Sequence, residues 1–166
     1  MTEGELAEMR LAADQWACQK LQEKYWYGEA KRDVDMICSV FTEDARYGKA
    51  KGMAEVRKQV ETYMSMMGPI LDNYYIVPIA VNIEVDGDRA RGEIRGVAFN
   101  KIRKRDGAIK MLIVGAGYTD EFVRTPAGWR ISAMGGIEDG PDVAHDTTWV
   151  VETDIAAGGL AAVFAP

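Results

Sequence analysis

The spacing of apolar residues divides the chain into a helical first third and a strand-rich remainder. Between Leu6 and Tyr25, apolar residues recur every three or four positions, which predicts one long helix over about residues 5–31. Asp33 is placed to cap a short second helix that runs through Phe41. Residues 42–48 turn the chain into a short strand, and a third helix is predicted over 52–68, where a Gly-Pro pair ends it.

After Pro69 the apolar period shortens to two, which is typical of strands. Four strands are predicted over 70–85, 90–103, 109–124 and 129–137, with a potential break at Pro78 in the first. Turn signals such as Asp86-Gly87-Asp88 separate them. The order of elements predicts an α+β architecture, in which helices pack across one side of a curved antiparallel sheet. Residues 1–166 are predicted to form one domain, with 138–166 a less regular tail that packs on the body or on a neighbouring subunit.

Charge and composition exclude several classes of protein. The chain has 166 residues, with 20 Lys and Arg against 26 Asp and Glu, and a net charge of -6. A nucleic-acid partner is not expected, because such binders carry a basic face. No apolar run reaches the length of a membrane span, so no membrane partner is expected either. The acidic N-terminus lacks an apolar signal core, and Cys18 and Cys38 lie in helical patterns, so a cytoplasmic location with reduced thiols is predicted.

The residues that usually hold metals or cofactors are sparse in this sequence. His145 is its one histidine, and neither a CxxC pair nor an HExxH motif occurs. No glycine-rich phosphate loop follows a predicted strand. The sequence therefore predicts no metal site and no cofactor, and it favours either cofactor-free chemistry or binding without chemistry.

Six short segments in a fixed order resemble SnoaL-like domains of the nuclear transport factor 2 superfamily. They read KYWY, DVD, VFTEDA, VDGDRARG, YTDEFVRT and GWRI, and the resemblance covers about residues 8–137. It implies a cone-shaped barrel, in which a curved antiparallel sheet and three N-terminal helices enclose an apolar pocket. Within the superfamily the chain is most similar to the branch of scytalone dehydratase, bile acid 7α-dehydratase and hexachlorocyclohexane dehydrochlorinase. This resemblance implies a cofactor-independent lyase that is often trimeric.

The chain departs from that branch at its acid–base pair. The resemblance places the family's aspartate at Ala30 and its strand histidine at Tyr75. The standard dehydration mechanism is therefore in doubt here. Glu29 lies one residue before the lost aspartate and shares a helix face with Tyr25. Our hypothesis is that Glu29, or a tyrosinate partner, takes over proton abstraction, because a carboxylate in an apolar pocket can act as a base near neutral pH.

Side-chain alternation along the strands supplies further site residues. If Tyr75 faces the interior, so do its odd-numbered neighbours on that strand, and on the next strand the even-numbered residues face in. Phenol hydroxyls can hold a developing oxyanion, and a buried Asn must find partners. Asp120 is expected either to anchor Arg46 or Arg130 or to touch substrate. The predicted catalytic residues are Tyr25, Glu29, Tyr75, Asn100 and Tyr118, and the predicted substrate-binding residues are Tyr27, Tyr47, Ala98, Leu112, Asp120 and Met134.

These residues predict a cofactor-independent lyase or isomerase acting on an aromatic, polyketide-like or steroid-like molecule. Dehydration, retro-aldol release of formaldehyde and a simple proton shift all fit. The alternative is a non-catalytic module that binds an apolar small molecule. Val97 and Phe99 lie among charged residues on the predicted outer sheet face, so a homo-oligomer is expected, either dimer or trimer.

Overall fold

A computed structural model describes residues 1–67, 71–137, 139–144 and 146–154. The three helices lie within the first 67 residues together with two strands, and five further strands follow. All seven strands belong to one sheet. The helices are α1 (Glu3–Lys31), α2 (Val34–Cys38) and α3 (Met53–Met67), and the strands are β1 (Phe41–Tyr47), β2 (Ala50–Lys51), β3 (Leu71–Asp86), β4 (Arg89–Arg103), β5 (Ile109–Thr125), β6 (Gly128–Gly135) and β7 (Asp146–Asp154). The prediction of an α+β fold is confirmed, and so is that of three N-terminal helices.

The long helix α1 has specific signals at both ends. The Thr2 hydroxyl accepts a hydrogen bond from the Glu5 backbone N–H, and the Glu5 carboxylate accepts one from the Thr2 N–H, which is a capping box. At the other end Arg32 adopts a left-handed conformation with φ 56°. Asp33 then caps α2 by accepting from the Met36 N–H at 2.9 Å, as predicted. The chain therefore turns sharply directly after Glu29.

The sheet is mixed and open, where the sequence predicted an antiparallel sheet within a barrel. Its main path runs β2-β1-β6-β5-β4-β3, and β7 pairs with β5 away from that path. The pairing of β1 with β6 is parallel, whereas every other pairing is antiparallel. The two strands are distant along the chain and are joined through the helix α3 and the intervening strands, so local periodicity carries no information about their relative direction. The curved sheet is not closed, and β3 lies at one edge of the path.

A β-bulge in β3 reverses the side-chain directions expected for its first half. Pro78 lies opposite Gly96 and Ala80 lies opposite Arg95, so Ile79 is an extra residue on β3. Beyond the bulge Ile83 is buried on the inner face, as alternation predicts. Before the bulge it is Ile76 that packs against the core. The expectation that Tyr75 and its odd-numbered neighbours before the bulge face the interior is therefore wrong.

The strand β7 lies in the segment that the sequence left without regular structure. It pairs antiparallel with the first half of β5, for instance Gly115 with Trp149 and Leu112 with Glu152. Two ion pairs, Lys104 with Glu152 and Lys110 with Asp154, join it to the neighbouring elements. His145 and residues 155–166 lie outside the described residues. The prediction that the tail packs on the body or on a neighbouring subunit falls mostly on those residues.

The core lies between α1 and the concave face of the sheet, which we call the inner face. Trp26 reaches across from α1 to Gly96 on β4, and its ring lies 5.9 Å from that of Tyr118 on β5. The opposite, outer face carries a row of apolar residues near β7. None of the described helices has a stretch apolar and long enough to cross a bilayer.

Candidate functional site

A buried carboxylate and two phenols form a hydrogen-bonded chain at the C-terminal end of α1. The Tyr25 hydroxyl donates to Glu29 Oε1 at 2.9 Å, and the Tyr25 and Tyr47 oxygens are 2.7 Å apart. A phenol has one proton. Because the one proton of Tyr25 is used in the hydrogen bond to Glu29, the Tyr47 hydroxyl donates the hydrogen bond between the two tyrosines. Glu29 is only 5% exposed, so this chain fixes a carboxylate inside the protein.

The local backbone explains how Glu29 is held. Gly28 lies so close to α2 that a Cβ on it would come within 2.7 Å of Ile37 Cγ1. The close approach packs α2 against the last turn of α1, directly beside Glu29. A carboxylate near the C-terminus of a helix is not favoured by the helix dipole, and the hydrogen bond from Tyr25 offsets that cost.

Four buried phenols lie within the electrostatic influence of Glu29 and remain neutral. Burial raises the pKa of Tyr25 and that of Tyr118 well above the ordinary value, and the negative charge of Glu29 raises both further. The pKa of Tyr47 is raised by the same two causes in the same order. Neutral phenols can donate hydrogen bonds but cannot remove protons. The alternative that a tyrosinate acts as the base is therefore not supported for these residues. Of the two alternatives, Glu29 remains as the candidate base.

Tyr63 on α3 belongs to this group and was not predicted as a site residue. Burial and then the charge of Glu29 raise its pKa, which places the phenol within the field of that carboxylate. The sequence placed Tyr63 only on the apolar face of α3. Its approach to Glu29 depends on how α3 crosses the end of α1, which helical periodicity does not encode. We call Tyr25, Glu29, Tyr47, Tyr63 and Tyr118 the tyrosine–glutamate cluster.

Asn100 lies on the inner face, as predicted, but away from the tyrosine–glutamate cluster. Its Nδ2 donates to the Leu112 carbonyl at 3.2 Å, and its Oδ1 is buried with no hydrogen-bond partner in the described structure. Tyr118 lies opposite Ile94, six residues before Asn100 on β4. Six residues span roughly 20 Å along a strand. The structure therefore does not bring Asn100 and Tyr118 to the same atom of a small ligand.

Two predicted aromatic site residues lie at the surface. Tyr75 is 60% exposed and pairs with Phe99 on the outer side of the sheet, because the bulge at Ile79 reverses its direction. Tyr27 is 55% exposed, with Lys31 above its ring at 5.3 Å. Neither is part of the tyrosine–glutamate cluster. The prediction that Tyr75 has an interior role is therefore wrong, because the bulge turns its side chain to the outer face.

Asp120 lies in a second buried polar group, and neither of its predicted arginine partners binds it. With the Gln22 amide nitrogen directed at Asp120, Gln22 donates to Oδ2 at 2.8 Å and accepts from Trp26 Nε1 at 3.0 Å. Arg46 and Arg130 instead donate to backbone carbonyls. Burial raises the pKa of Asp120 well above its ordinary value. We call Gln22, Trp26 and Asp120 the aspartate–glutamine group.

The remaining predicted substrate-binding residues and the two cysteines are buried or half-buried. Ala98 and Met134 are buried, and Leu112 is half-buried. Burial raises the pKa of Cys18 to about 12 and also raises that of Cys38, so neither thiol supplies a thiolate at neutral pH. Within the described ranges no three His, Cys, Asp or Glu side chains are grouped as a metal site would require.

Solved structures with the same fold carry several different names. A hexachlorocyclohexane dehydrochlorinase of type 2 matches with a TM-score of 0.65 at 16% identity, over 94% of this chain and 97% of that one. A provisionally named scytalone dehydratase from Novosphingobium aromaticivorans matches with a TM-score of 0.64 at 19% identity, over 96% of each chain. At such identities the likeness establishes the fold and not the activity.

Sequence comparisons identify the family. Proteins of Mycobacterium tuberculosis and Mycobacterium bovis, both called uncharacterized, are 28% identical over 122 residues, which is 72% of this chain and 81% of theirs. A family model described as SnoaL-like domain matches residues 10–135, about three quarters of the chain. With the open α+β sheet and the helices across its inner face, this match shows that the chain belongs to the SnoaL-like domain family.

Proposed function

We propose that this protein is a cofactor-independent lyase or isomerase that acts on an aromatic or polycyclic small molecule. The observation that carries the proposal is the buried carboxylate of Glu29, which accepts a hydrogen bond from Tyr25 and lies among four phenols. The fold is shared with proteins named as a dehydratase and a dehydrochlorinase. The fold is therefore compatible with an enzyme that converts a small molecule, and the type of reaction has to be inferred from the site residues.

In the proposed mechanism Glu29 removes a proton from the substrate. The chain from Tyr47 through Tyr25 to Glu29 holds the carboxylate in one orientation, so that it need not reorganise as the proton arrives. As negative charge develops on a substrate carbonyl oxygen, the hydroxyl of Tyr118 is placed to donate to it. Neutral phenols suit this role, since the raised pKa of Tyr118 keeps its proton in place.

Three outcomes follow from proton removal by Glu29. When the proton comes from a carbon acid, the enolate either expels a β-hydroxyl group, which leaves as water with the proton that Glu29 took up, or takes that proton back at another carbon. When the proton comes instead from a β-hydroxymethyl group, the adjacent carbon–carbon bond breaks, formaldehyde leaves, and the resulting enolate takes the proton from Glu29 at carbon. Asn100 is too far along β4 to stabilise that charge. We propose that its unpaired Oδ1 accepts a hydrogen bond from a substituent at the far end of an extended substrate.

Exchange of carbon-bound hydrogen in D2O tests the base without knowledge of the leaving group. A panel of aromatic ketones and β-hydroxy aromatic ketones is incubated with the protein, and mass spectrometry follows deuterium uptake, loss of water and loss of formaldehyde. We expect Glu29→Gln to lower the rate by roughly 10²–10⁴-fold, the range for a general base. Glu8→Gln, the same change at an exposed position of α1, serves as the matched control and should leave the rate within about twofold. Turnover that survives in Glu29→Gln would exclude Glu29 as the base.

The second candidate is a binding module without catalysis. It is favoured by the positions Ala30 and Tyr75, which stand where the resembled dehydratases carry their acid–base pair. Under this function the panel would bind to the protein without exchange, and Glu29→Gln would change affinity only. The same mass spectra, combined with calorimetric binding of the panel, separate the two candidates.

We also propose that the outer sheet face packs against a second copy of the chain. Cross-strand neighbours there are apolar over adjacent strands, with Val97 and Phe99 on β4 beside exposed residues of β3 and β7, namely Val77, Trp149 and Val151. An apolar sheet face of this kind is typical of an interface. Sedimentation velocity should find a dimer or trimer that Trp149→Arg dissociates, while Trp16→Arg, an exposed tryptophan on α1, leaves it intact. A monomeric parent protein would contradict this proposal.

A further inference from the structure

A groove separate from the tyrosine–glutamate cluster lies between α1 and the edge strand β3. Its cavity volume is about 470 Å³, within the range of small-molecule sites. No member of the cluster lines it. The lining residues are Glu23, Trp26, Tyr27, Ala30 and Lys31 from α1, and Tyr75, Ile76 and Pro78 from β3.

The walls of the groove are aromatic and open to solvent. Tyr27 and Tyr75 come from different elements and are each more than half exposed, while Trp26 is buried and contributes to the floor beside Ile76. Large rings at a surface are costly to hydrate, and they bind planar groups by offset or edge-to-face contact. Because β3 is an edge strand and Pro78 lacks an N–H, this side of the groove resists pairing with another strand. The shape therefore favours a flat small molecule over a peptide strand.

The two charged residues that line the groove, Glu23 and Lys31, differ in their pairing. Glu23 is already compensated, since its carboxylate pairs with Lys20 and accepts from Gln19. Lys31 lies above the Tyr27 ring, and within the described part of the chain no carboxylate comes within ion-pair distance of it. An ammonium group beside exposed aromatic rings is complementary to an aromatic ligand that carries an anionic substituent.

We propose that this groove binds a planar aromatic carboxylate. Its ring lies against Tyr27 over the Trp26 floor, with Ile76 and Pro78 of β3 as the opposite wall, and its carboxylate pairs with the Lys31 ammonium. The inference does not depend on the chemistry proposed for Glu29, because the two sets of residues do not overlap. Tyr27 and Lys31 also lie outside the apolar outer face assigned to self-association.

Calorimetric titration with 2-naphthoate and with neutral 2-naphthamide tests the site on the full chain. We expect 2-naphthoate to bind more tightly, and Lys31→Gln to weaken it at least about fivefold while leaving 2-naphthamide unchanged. Lys24→Gln is the matched control, because Lys24 is an exposed lysine of the same helix that does not line the groove. Tyr27→Ser should weaken both ligands. Circular dichroism confirms that each variant is folded.

Several results would overturn the proposal. Absence of 2-naphthoate binding would do so, and so would equal losses in Lys31→Gln and Lys24→Gln. Loss of binding in Glu29→Gln with Lys31→Gln unaffected would place the ligand at the tyrosine–glutamate cluster instead. A failure of the proposed catalysis with intact Lys31-dependent binding leaves this site standing, so the two proposals are tested separately.

Discussion

Two carboxyl groups are buried among the residues that the structure describes, and their surroundings differ. Glu29 accepts from Tyr25 and lies among phenols drawn from α1, β1, α3 and β5. Asp120 is 0% exposed and is held by the amide of Gln22, while its Oδ1 lacks a partner in the described structure. Glu29 has phenols nearby that can donate to developing negative charge, whereas the amide of Gln22 is the donor that binds Asp120, whose pKa burial raises well above its ordinary value. Burial of a carboxyl alone therefore does not mark a reactive site, because the neighbouring donors decide what it can do.

Trp26 lies between the two groups. Its indole N–H donates to the Gln22 carbonyl oxygen, and its ring packs on that of Tyr118. The aspartate–glutamine group thus holds the Trp26 ring on which Tyr118 of the tyrosine–glutamate cluster packs. The comparison predicts that damage to the first group lowers stability, while damage to the second lowers both stability and activity.

The largest expected effect on stability comes from Gln22→Leu. This change removes the donor to Asp120 and the acceptor of Trp26, so two buried polar groups lose their partners, at about 2–4 kcal/mol of unfolding free energy in total. Urea denaturation measures the loss. Gln19→Leu, one turn earlier on α1, should cost less, because its partner Glu23 also pairs with Lys20. Equal losses in the two variants would contradict the role assigned to Gln22.

A smaller loss is expected from Tyr25→Phe. Glu29 loses a buried hydrogen-bond donor and Tyr47 loses its acceptor, which should cost about 1–3 kcal/mol. In a double-mutant cycle with Glu29→Gln the two changes should not be additive, because both remove the same bond. Tyr27→Phe, an exposed tyrosine two residues further on, is the control and should be close to neutral. Additive losses would show that Tyr25 and Glu29 do not interact.

A change that depends on pH is expected from Asp120→Asn. The pKa of Asp120 is raised in the folded state, so the folded protein keeps a proton that the unfolded chain releases above about pH 4. The stability contributed by the protonated group is complete below the unfolded pKa and declines as pH rises toward the folded pKa. The asparagine variant carries no such proton. Its stability relative to the parent protein should therefore be higher at pH 7 than at pH 4, as measured by thermal unfolding across that range. An unchanged difference would contradict a raised pKa of Asp120.

Much of the architecture could be predicted from local pattern. The three-to-four spacing of apolar residues located α1, the side chain of Asp33 marked the start of α2, and the change of period after Pro69 located the strands. The turn at Asp86-Gly87-Asp88 forms where predicted, with Gly87 at φ 58°. Tyr25 and Glu29 were placed together by helical spacing alone, since residues four apart share a face.

Other features depended on contacts between distant parts of the chain. One extra residue at Ile79 reversed the direction of Tyr75, and no local pattern distinguishes such a bulge from regular alternation. The approach of Tyr47 and Tyr63 to Glu29, and of Gln22 to Asp120, brings together side chains from separate elements. The sequence by itself determined the elements and their order, because period and turn chemistry are local properties. Only the tertiary structure decided which polar groups met in the interior, because that depends on how helices and strands cross.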